Sequence, residues 1–492
     1  MNFAIVSRLL STILLILGLA FAVCLGVSRI LDDPSDAVLS RNGFLISIGI
    51  SLTASWIFYY IGRKAPRKFF QKEALCVIGL GWILSSILGS VPYLVIAPEI
   101  GIANAIFEST SGLTTTGASV LSNLEELPPS LLFWRSLSQW IGGMGVVVFF
   151  VAILSFLGVG AKMLYANEAS GAVADFEESR VQSTVLRLVY IYLGLSSACM
   201  LSYKIAGMNW FDAICHTFTT ISTAGFSTRS GSIADFNSPM IEWVAIIFMI
   251  LGGVSFLLIL KIVNRRFNQL KANTEFIAYI SLLAISTIVV TIMVYNEGIK
   301  GSILESIRPS AFQVTAIMTT TGYATEDYVQ WGALPQVVLL MLMLIGGCSG
   351  STAGGGTKVA RLVVAFRMCL LSIERSFRSR IIRQIKMNNR TLDDEAASDI
   401  MYYLVLFVGV GLMSVVVTTI FEPYAQVDTN ISAVVACLCN IGPGLAQVGP
   451  ASNYEFLQPH TKFFLSLLMI MGRLELYAIL ALFSPSLWKR FK

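Results

Sequence analysis

Long apolar runs alternate with short polar connections along nearly the whole chain. After two long runs, a further eight occur in pairs, and each pair encloses a shorter apolar segment of roughly ten residues. A helix needs about 20 apolar residues to cross about 30 Å of hydrocarbon, so we predict that the long runs span a bilayer and that the short ones do not. The pattern predicts an all-α polytopic membrane protein.

The predicted order is an amino-terminal two-span hairpin at 1–72, then four pore repeats at 73–183, 184–272, 273–396 and 397–492. The first run is too long for a signal-peptide core and lacks a small-x-small cleavage site, so it counts as a span. The ten spans are predicted near Phe3–Ile30, Leu45–Ile61, Leu75–Ile96, Leu132–Val159, Val185–Ile205, Ile241–Val263, Phe276–Tyr295, Pro335–Leu371, Met401–Phe421 and Phe463–Phe483. The four half-helices are predicted near Ile102–Leu113, Trp210–Thr220, Ser310–Thr319 and Ser432–Leu438.

The short segments must enter the membrane and return on the same side. Non-helical backbone at membrane depth is tolerated only where protein buries it or where it lines a wet cavity, because each unsatisfied amide costs several kcal/mol in lipid. Four such segments in one chain therefore predict one shared central pore.

Each half-helix is followed by a loop of mostly small or hydroxyl residues that ends on glycine. The loops are Thr114, Thr115, Thr116 and Gly117; Ser222, Thr223, Ala224 and Gly225; Thr319, Thr320, Thr321 and Gly322; and Cys439, Asn440, Ile441 and Gly442. Rings of backbone carbonyls can replace the hydration shell of a monovalent cation. Glycine permits the positive φ that such a ring needs, where a β-branched residue is poorly tolerated. A single loop of this kind also fits an ordinary helix C-cap, but its fourfold repetition favours a cation filter.

A second glycine-rich stretch, residues 346–358, interrupts the last span of the third repeat. It holds six glycines in thirteen residues: Gly346, Gly347, Gly350, Gly354, Gly355 and Gly356. It ends Gly-Thr-Lys rather than Gly-Lys-Ser/Thr and has no βαβ setting, which excludes a nucleotide-binding loop. We predict a flexible plug under the filter; the alternative is a close-packing helix face.

Composition and charge agree with a membrane setting and fix an orientation. Hydrophobic residues make up 55% of the 492, charged residues 13%, and the net charge is +5, which gives no reason to expect a nucleic-acid partner. Between Pro98 and Trp134 there are four glutamates and no lysine or arginine, so this side should face outward. Basic residues cluster near 63–72, 261–271, 375–390 and 489–492, which predicts cytoplasmic termini and linkers.

Three observations concern single charged or reactive residues. Arg473 lies inside the last predicted span, where a charge lines a pathway or pairs with a neighbour such as Glu475 or Glu242. Lys358 and Arg361 are predicted to be cytoplasmic surface charges. Glu108 could serve a proton-coupled symporter, although an outward-facing cap or vestibule charge is the simpler interpretation.

Other chemistry finds little support in the sequence. The cysteines lack disulfide or zinc spacing, and His216 and His460 are interpreted as structural residues. We find no HExxH motif, paired aspartates or Ser/His pair at membrane depth, so a membrane-embedded enzyme is the least favoured function. Residues 168–187 and 375–390 are interpreted as solvated or lipid-contacting faces, or as a docking surface for a regulator.

The amino-terminal hairpin and the segments Thr114–Ala118, Asn440–Leu445 and Met471–Glu475 resemble the Trk/Ktr/HKT superfamily of potassium transporters, and most closely its bacterial TrkH/TrkG branch. The resemblance implies a K+-translocating subunit that binds no cofactor. It also implies a homodimer in the bacterial inner membrane and a cytosolic nucleotide-binding regulatory subunit of the TrkA type.

The resemblance makes residues 346–358 a gating loop and places Arg473 near the pore axis, touching that loop. Members that pass Na+ tend to carry serine at the position of Gly117, so K+ and Rb+ are the expected ions, with K+/H+ or K+/Na+ symport as the alternative. Only the first and third loops keep three threonines, so selectivity should be looser than in a ring of four identical loops.

Overall fold

The computed structural model describes residues 1–65, 71–156, 178–378, 384–388 and 390–488. Several predicted features lie outside these ranges: the end of the Leu132–Val159 span, the first half of the charged stretch at 168–187, part of the basic linker at 63–72, Arg380, Arg383 and the basic residues at 489–492.

The described part is almost entirely helical. The helices are α1 Phe3–Leu31, α2 Ala37–Gly62, α3 Gln71–Gly89, α4 Val91–Ile96, α5 Gly101–Leu113, α6 Pro129–Phe156, α7 Glu178–Ile205, α8 Trp210–Ile221, α9 Pro239–Gly252, α10 Phe256–Val263, α11 Asn268–Ala272, α12 Thr274–Asn296, α13 Ile303–Met318, α14 Ala333–Met343, α15 Val359–Phe377, α16 Asp394–Phe421, α17 Val427–Leu438, α18 Pro459–Arg473, α19 Tyr477–Leu482 and α20 Pro485–Trp488. Two short strands, β1 (Lys386–Met387) and β2 (Arg390–Thr391), pair antiparallel with Lys386 opposite Thr391.

Helix length and hydropathy agree with a multi-pass membrane protein. In the described residues, six helices are individually long and apolar enough to cross a membrane, and a seventh span results if α9 and α10 are taken together. The outward faces are apolar: Val405, Leu412 and Val416 of α16 are all more than half exposed, as expected for side chains that meet lipid. The count of ten spans stays a prediction.

The amino-terminal hairpin packs closely along its length. Gly62 of α2 lies so near α1 that an added Cβ would be 2.6 Å from the backbone nitrogen of Arg8. Ser55 Oγ donates a hydrogen bond to the carbonyl of Ser11 at 2.7 Å. Small residues allow the backbones to approach, which is how helices associate without a hydrophobic driving force.

The span predicted at Ile241–Val263 is not one straight helix, because the chain bends by 99° between α9 and α10. The backbone groups freed by the bend pair with the glycine-rich stretch. Cys348 N donates to Gly253 O at 2.9 Å, and Phe256 N donates to Gly350 O at 3.0 Å. The bend is stable because these groups are satisfied inside the protein rather than exposed to lipid.

The span predicted at Phe463–Phe483 is not one continuous helix either. Helix α18 ends at Arg473, and α19 begins only at Tyr477. Between them Glu475 and Leu476 have φ of 54° and 62°, which a right-handed helix cannot contain.

Two half-helices are longer than predicted. The third begins at Ile303, where the Ser302 side chain accepts a hydrogen bond from the backbone N–H of Glu305, and the fourth begins at Val427. Their polar first turns concealed the starts in the hydropathy pattern. The other two, α5 and α8, lie within one residue of their predicted bounds.

Candidate ion-binding site

All four loops leave their half-helices by the same backbone hydrogen bonds. In the first loop Thr114 N, Thr115 N and Thr116 N donate to the carbonyls of Thr110, Gly112 and Ser111 at 2.8, 3.1 and 2.9 Å. The first three residues of the other loops repeat this pattern at the same offsets. These donors satisfy carbonyls at the helix ends, so the loops' own carbonyls remain available.

Along each loop the backbone alternates between negative φ and positive, left-handed φ. The second and fourth positions have positive φ: Thr115 53° and Gly117 80°, Thr223 50° and Gly225 80°, Thr320 58° and Gly322 74°, Asn440 54° and Gly442 101°. The sequence predicted this for the glycines. It missed the second position, where three loops place a β-branched threonine at a cost of about 1–3 kcal/mol each, a strain that is typical of functional sites.

The loops form one closed ring. A Cβ added to Gly117 would lie 2.2 Å from the carbonyl oxygen of Ala224 in the second loop. An added Cβ would likewise lie 1.8 Å from Thr321 O at Gly225, 1.8 Å from Ile441 O at Gly322, and 2.8 Å from Thr116 O at Gly442. Each glycine therefore borders the third carbonyl of the next loop, in the order one, two, three, four and back to one.

Side-chain hydroxyl and amide groups form hydrogen bonds within and between the loops. Thr114 Oγ1 and Thr116 Oγ1 are 2.7 Å apart, and Thr319 Oγ1 and Thr321 Oγ1 are 2.8 Å apart. In the fourth loop Asn440 Nδ2 instead donates to Thr116 Oγ1 at 2.9 Å, which ties the fourth loop to the first.

A second set of bracing side chains lies six residues before the first, second and third loops, a register that the sequence did not reveal. Glu108 Oε2 accepts from Val120 N at 3.0 Å, His216 Nε2 lies 2.9 Å from Ser227 Oγ, and Gln313 Nε2 donates to Glu326 O at 3.2 Å. Each binds the segment that leaves its own loop. The equivalent residue in the fourth repeat is Ala433. Aligning the repeats on the loop glycine would have exposed this pattern.

Glu108 is not the outward-facing charge that the sequence favoured. It is fully buried and forms an ion pair with Arg135 at 2.7 Å. Arg135 Nη1 also donates to Ser227 O at 3.0 Å, and its guanidinium lies 4.0 Å from the centre of the Phe226 ring. The pair therefore ties α5 and α6 to the segments leaving the first and second loops. Paired in this way, Glu108 gives no support to a proton-coupled pathway.

Above the ring lies an open cavity of about 300 Å³. Its floor is formed by Gly117, Gly225, Gly322 and Gly442. At its rim, burial alone would raise the pKa of Glu125, but hydrogen bonds from the hydroxyl and backbone N–H of Ser230 hold that pKa below its usual value. The cavity gives a path from one side of the protein to the ring.

The glycine-rich stretch contacts the other side of the ring. Gly354 N donates to Thr320 Oγ1 at 2.6 Å, and Gly355 N donates to Asn440 Oδ1 at 3.0 Å. Thr352 Oγ1 donates to the carbonyl of Ile221, the last residue of α8, at 2.8 Å. The stretch thus lies directly against the second positions of the third and fourth loops and the end of the second half-helix.

Arg473 binds this stretch and not a carboxylate. Its Nη1 donates to Thr352 O at 3.0 Å and its Nη2 to Gly142 O at 3.5 Å. In the described ranges its Nε has no hydrogen-bond partner, and the two glutamates suggested from the sequence pair elsewhere, Glu475 with Arg361 and Glu242 with Arg308.

Lys358 and Arg361 are not surface charges. Each is only 7% exposed. Lys358 Nζ donates to the carbonyls of Ala353, at 2.7 Å, and Gly354. Arg361 pairs with Glu475, whose backbone is in the break between α18 and α19. The prediction failed because Lys358 lies against carbonyls of its own glycine-rich stretch and Arg361 lies against Glu475, so both side chains are inside the protein. Their positions in the chain had suggested the cytoplasmic surface.

The second span of the first three repeats carries a Gly-Gly pair, Gly142-Gly143, Gly252-Gly253 and Gly346-Gly347, which the sequence-based predictions did not include. The fourth repeat has Gly472-Arg473 at the corresponding position. An added Cβ at Gly142 or Gly472 would lie 1.9 Å from the carbonyl of Leu113 or Leu438, the last residues of two half-helices. Arg473 thus occupies the position at which the other repeats have glycine.

Comparison with known proteins agrees with this architecture. The sequence profile of the TrkH family, described as "Cation transport protein", matches residues 64–490. The chain belongs to the TrkH family. The Trk system potassium uptake protein TrkH of Escherichia coli K12 is 32% identical over 99% of this chain and 100% of its own length, and TrkG of the same organism is 32% identical over 88% of both.

The TrkH fold is shared in three dimensions as well. The crystal structure of the potassium transporter TrkH from Vibrio parahaemolyticus superposes with a TM-score of 0.90 at 28% identity, covering 99% of this chain and 100% of that one. The resemblance inferred from the sequence and the all-α fold class are therefore confirmed. Across the described residues, no cluster of three or more His, Cys, Asp or Glu side chains could hold a metal ion, so backbone carbonyls are the candidate ligands.

Proposed function

We propose that this chain is the membrane subunit of a bacterial Trk-type potassium uptake system, which passes K+ and Rb+ through the four-loop ring. The observation that carries the proposal is the closed ring itself. In it the sign of φ alternates along each loop, and the third carbonyl of each loop lies next to the glycine of the preceding loop. Oxygen dipoles in such a ring replace the hydration shell of a monovalent cation. The names of the full-length relatives, potassium uptake proteins, support the choice of ion.

In this proposal the glycine-rich stretch at 346–358 is the gate, and Arg473 controls it. The stretch covers one side of the ring, and Arg473 holds it by the Thr352 carbonyl. A charge at this depth repels cations as long as it stays in place. Opening requires these polar contacts to break and to be exchanged for water.

The orientation follows from charge. The acidic cavity side faces outward, and both termini lie in the cytoplasm of a bacterial cell, at its inner membrane. A homodimer and a cytosolic nucleotide-binding subunit of the TrkA type complete the proposed system, and the relatives' name, Trk system potassium uptake protein, supports a system of more than one component. The surrounding lipids are its other partners.

The test is ion flux from purified protein in liposomes, comparing K+, Rb+, Na+ and Li+ for wild type and Gly117→Ser. We expect the wild type to pass K+ and Rb+ in preference, and the variant to lose discrimination, because its Cβ would lie 2.2 Å from Ala224 O. Gly409→Ser is the matched control, because no atom lies within 4 Å of an added Cβ there. A wild type that passes Na+ as readily as K+ would refute the proposal.

A further inference from the structure

The four loops do not hold their third residue in the same way. In the first and third loops its hydroxyl bonds to the hydroxyl at the first position. In the fourth loop the third residue is the apolar Ile441, and the neighbouring Asn440 holds the loop by binding Thr116 Oγ1 and the carbonyl of Met469. The second loop also has an apolar third residue, Ala224, but no asparagine beside it, and its third carbonyl is supported from outside the loop.

Gln139 of α6 supplies that support. It is fully buried, and both ends of its amide are used. Its Nε2 donates to Ala224 O at 2.9 Å, and its Oε1 accepts from Phe226 N at 3.1 Å. The two hydrogen bonds fix the backbone on both sides of Gly225, whose φ is 80°.

One of the two bonded groups, the Ala224 carbonyl, belongs to the ring. Ala224 O is the atom that borders Gly117, and it lies beside the first loop as well as in the second. A carbonyl oxygen has two lone pairs, so a hydrogen bond from Gln139 leaves one for an ion. The bond fixes where that lone pair points and reduces the charge that it offers, and both properties enter into ion selectivity.

The position of Gln139 in the repeats indicates that it is specific to this loop. It lies three residues before the Gly-Gly pair of its span. At the same offset the other repeats have Met249, Met343 and Met469. At this offset a primary amide therefore occurs only in the first repeat, whose span contacts the second loop.

We infer that Gln139 is a specificity-determining positioning residue, which holds the Ala224 carbonyl in the geometry that distinguishes K+ from Na+. The inference rests on the proposed function and adds to it a residue outside the four loops. It also explains how a ring with unequal loops keeps one geometry.

The experiment compares wild type, Gln139→Met and Gln336→Met in liposomes, with K+ and Na+ flux measured separately. Gln139→Met introduces the residue found in the other repeats. Gln336 is the matched control, because its amide also makes two hydrogen bonds to the backbone, in its case to the carbonyls of Val329 and Trp331, away from the ring. We expect Gln139→Met to lower the K+/Na+ flux ratio about threefold to tenfold, as the loss of one or two buried hydrogen bonds would, and Gln336→Met to leave it unchanged.

A second readout covers the case in which Gln139→Met passes no ion. Thermal unfolding of the purified proteins in K+ or in Na+ reports ion binding without conduction, because a bound ion stabilises the folded state. We expect wild type to be protected more by K+ than by Na+, and Gln139→Met to lose that difference.

The outcomes separate the two proposals. An unchanged K+/Na+ flux ratio, or an unchanged K+ preference in unfolding, would overturn the role of Gln139 while leaving the proposed function intact. An equal loss of selectivity in Gln336→Met would also overturn it, since the effect would then be general destabilisation. A wild type without K+ preference would overturn the proposed function and this inference together.

Discussion

Arg135 and Arg473 are buried on opposite sides of the ring, and they are held in opposite ways. Arg135, on the cavity side, has a carboxylate partner in Glu108 and an aromatic ring beneath its guanidinium. Arg473, on the gate side, has only backbone carbonyls, and within the described residues no carboxylate is close enough for an ion pair. One charge is neutralised and the other is not.

The difference separates a structural charge from a functional one. Burying an ion pair is tolerable when each charge is matched and its remaining hydrogen bonds are made, but breaking such a pair leaves an uncompensated charge. A buried charge without a counter-ion acts on any cation that approaches it, because the low dielectric hardly screens it. Depth in the membrane alone therefore does not assign a role to an intramembrane arginine; its partners do.

The largest effect that we predict is on stability, at Arg135. Arg135→Ala should lower the free energy of unfolding by about 3–5 kcal/mol, because Glu108 is then left buried and unpaired. Denaturant unfolding of the purified protein in detergent measures this. Lys300→Ala removes the partly exposed pair with Glu326 and should cost about 0–1 kcal/mol. If the two variants were equally stable, Arg135 would not be the structural charge described above.

The next effect is on transport, at Arg473. Arg473→Ala should raise K+ flux a few-fold, since it removes both the repelling charge and the bond to Thr352 O, while Arg473→Lys keeps the charge and should stay nearer to wild type. Liposome flux measures both. Arg308→Ala, which breaks the pair with Glu242, serves as the control and should leave flux unchanged. Equal or lower flux in Arg473→Ala would remove the contrast between the two arginines.

The smallest effect is at the glycine-rich stretch itself. An added Cβ at Gly354 would lie 2.5 Å from the Cβ of Asn440, so Gly354→Ala should displace the stretch from the ring. We expect a flux increase on the order of twofold, as a small shift in an open–closed equilibrium produces. Gly194→Ala, with no atom within 4 Å of its added Cβ, is the control. Unchanged flux in Gly354→Ala, and in the triple alanine variant of Gly354–Gly356, would refute the proposal that residues 346–358 form the gate.

The sequence was sufficient for the repeated architecture because hydropathy and glycine spacing are local signals. The half-helices α5 and α8 and the loop glycines were found in this way. The breaks after Gly252 and Arg473 were not found, because both neighbouring segments are apolar and the break depends on contacts with distant residues such as Cys348 and Arg361. Hydropathy cannot distinguish a straight apolar span from a bent one.

The polar braces were missed for a related reason. Glu108, His216 and Gln313 look unrelated when each is considered alone, and Gln139 is an isolated polar residue in an apolar run. Their roles depend on which backbone group each one meets, and that is decided by the packing of different repeats. Lys358 was misassigned because its surroundings come from the fold of the glycine-rich stretch and not from its neighbours in the chain.

The cyclic order of the ring has a genetic consequence. Each glycine borders a carbonyl of the following loop, so a lesion and its structural effect lie in different repeats. A larger residue at Gly225 would displace Thr321, and compensating second-site changes should then arise around the third loop rather than the second. A suppressor screen begun from one altered glycine would therefore trace the neighbour relations of the ring, one repeat at a time.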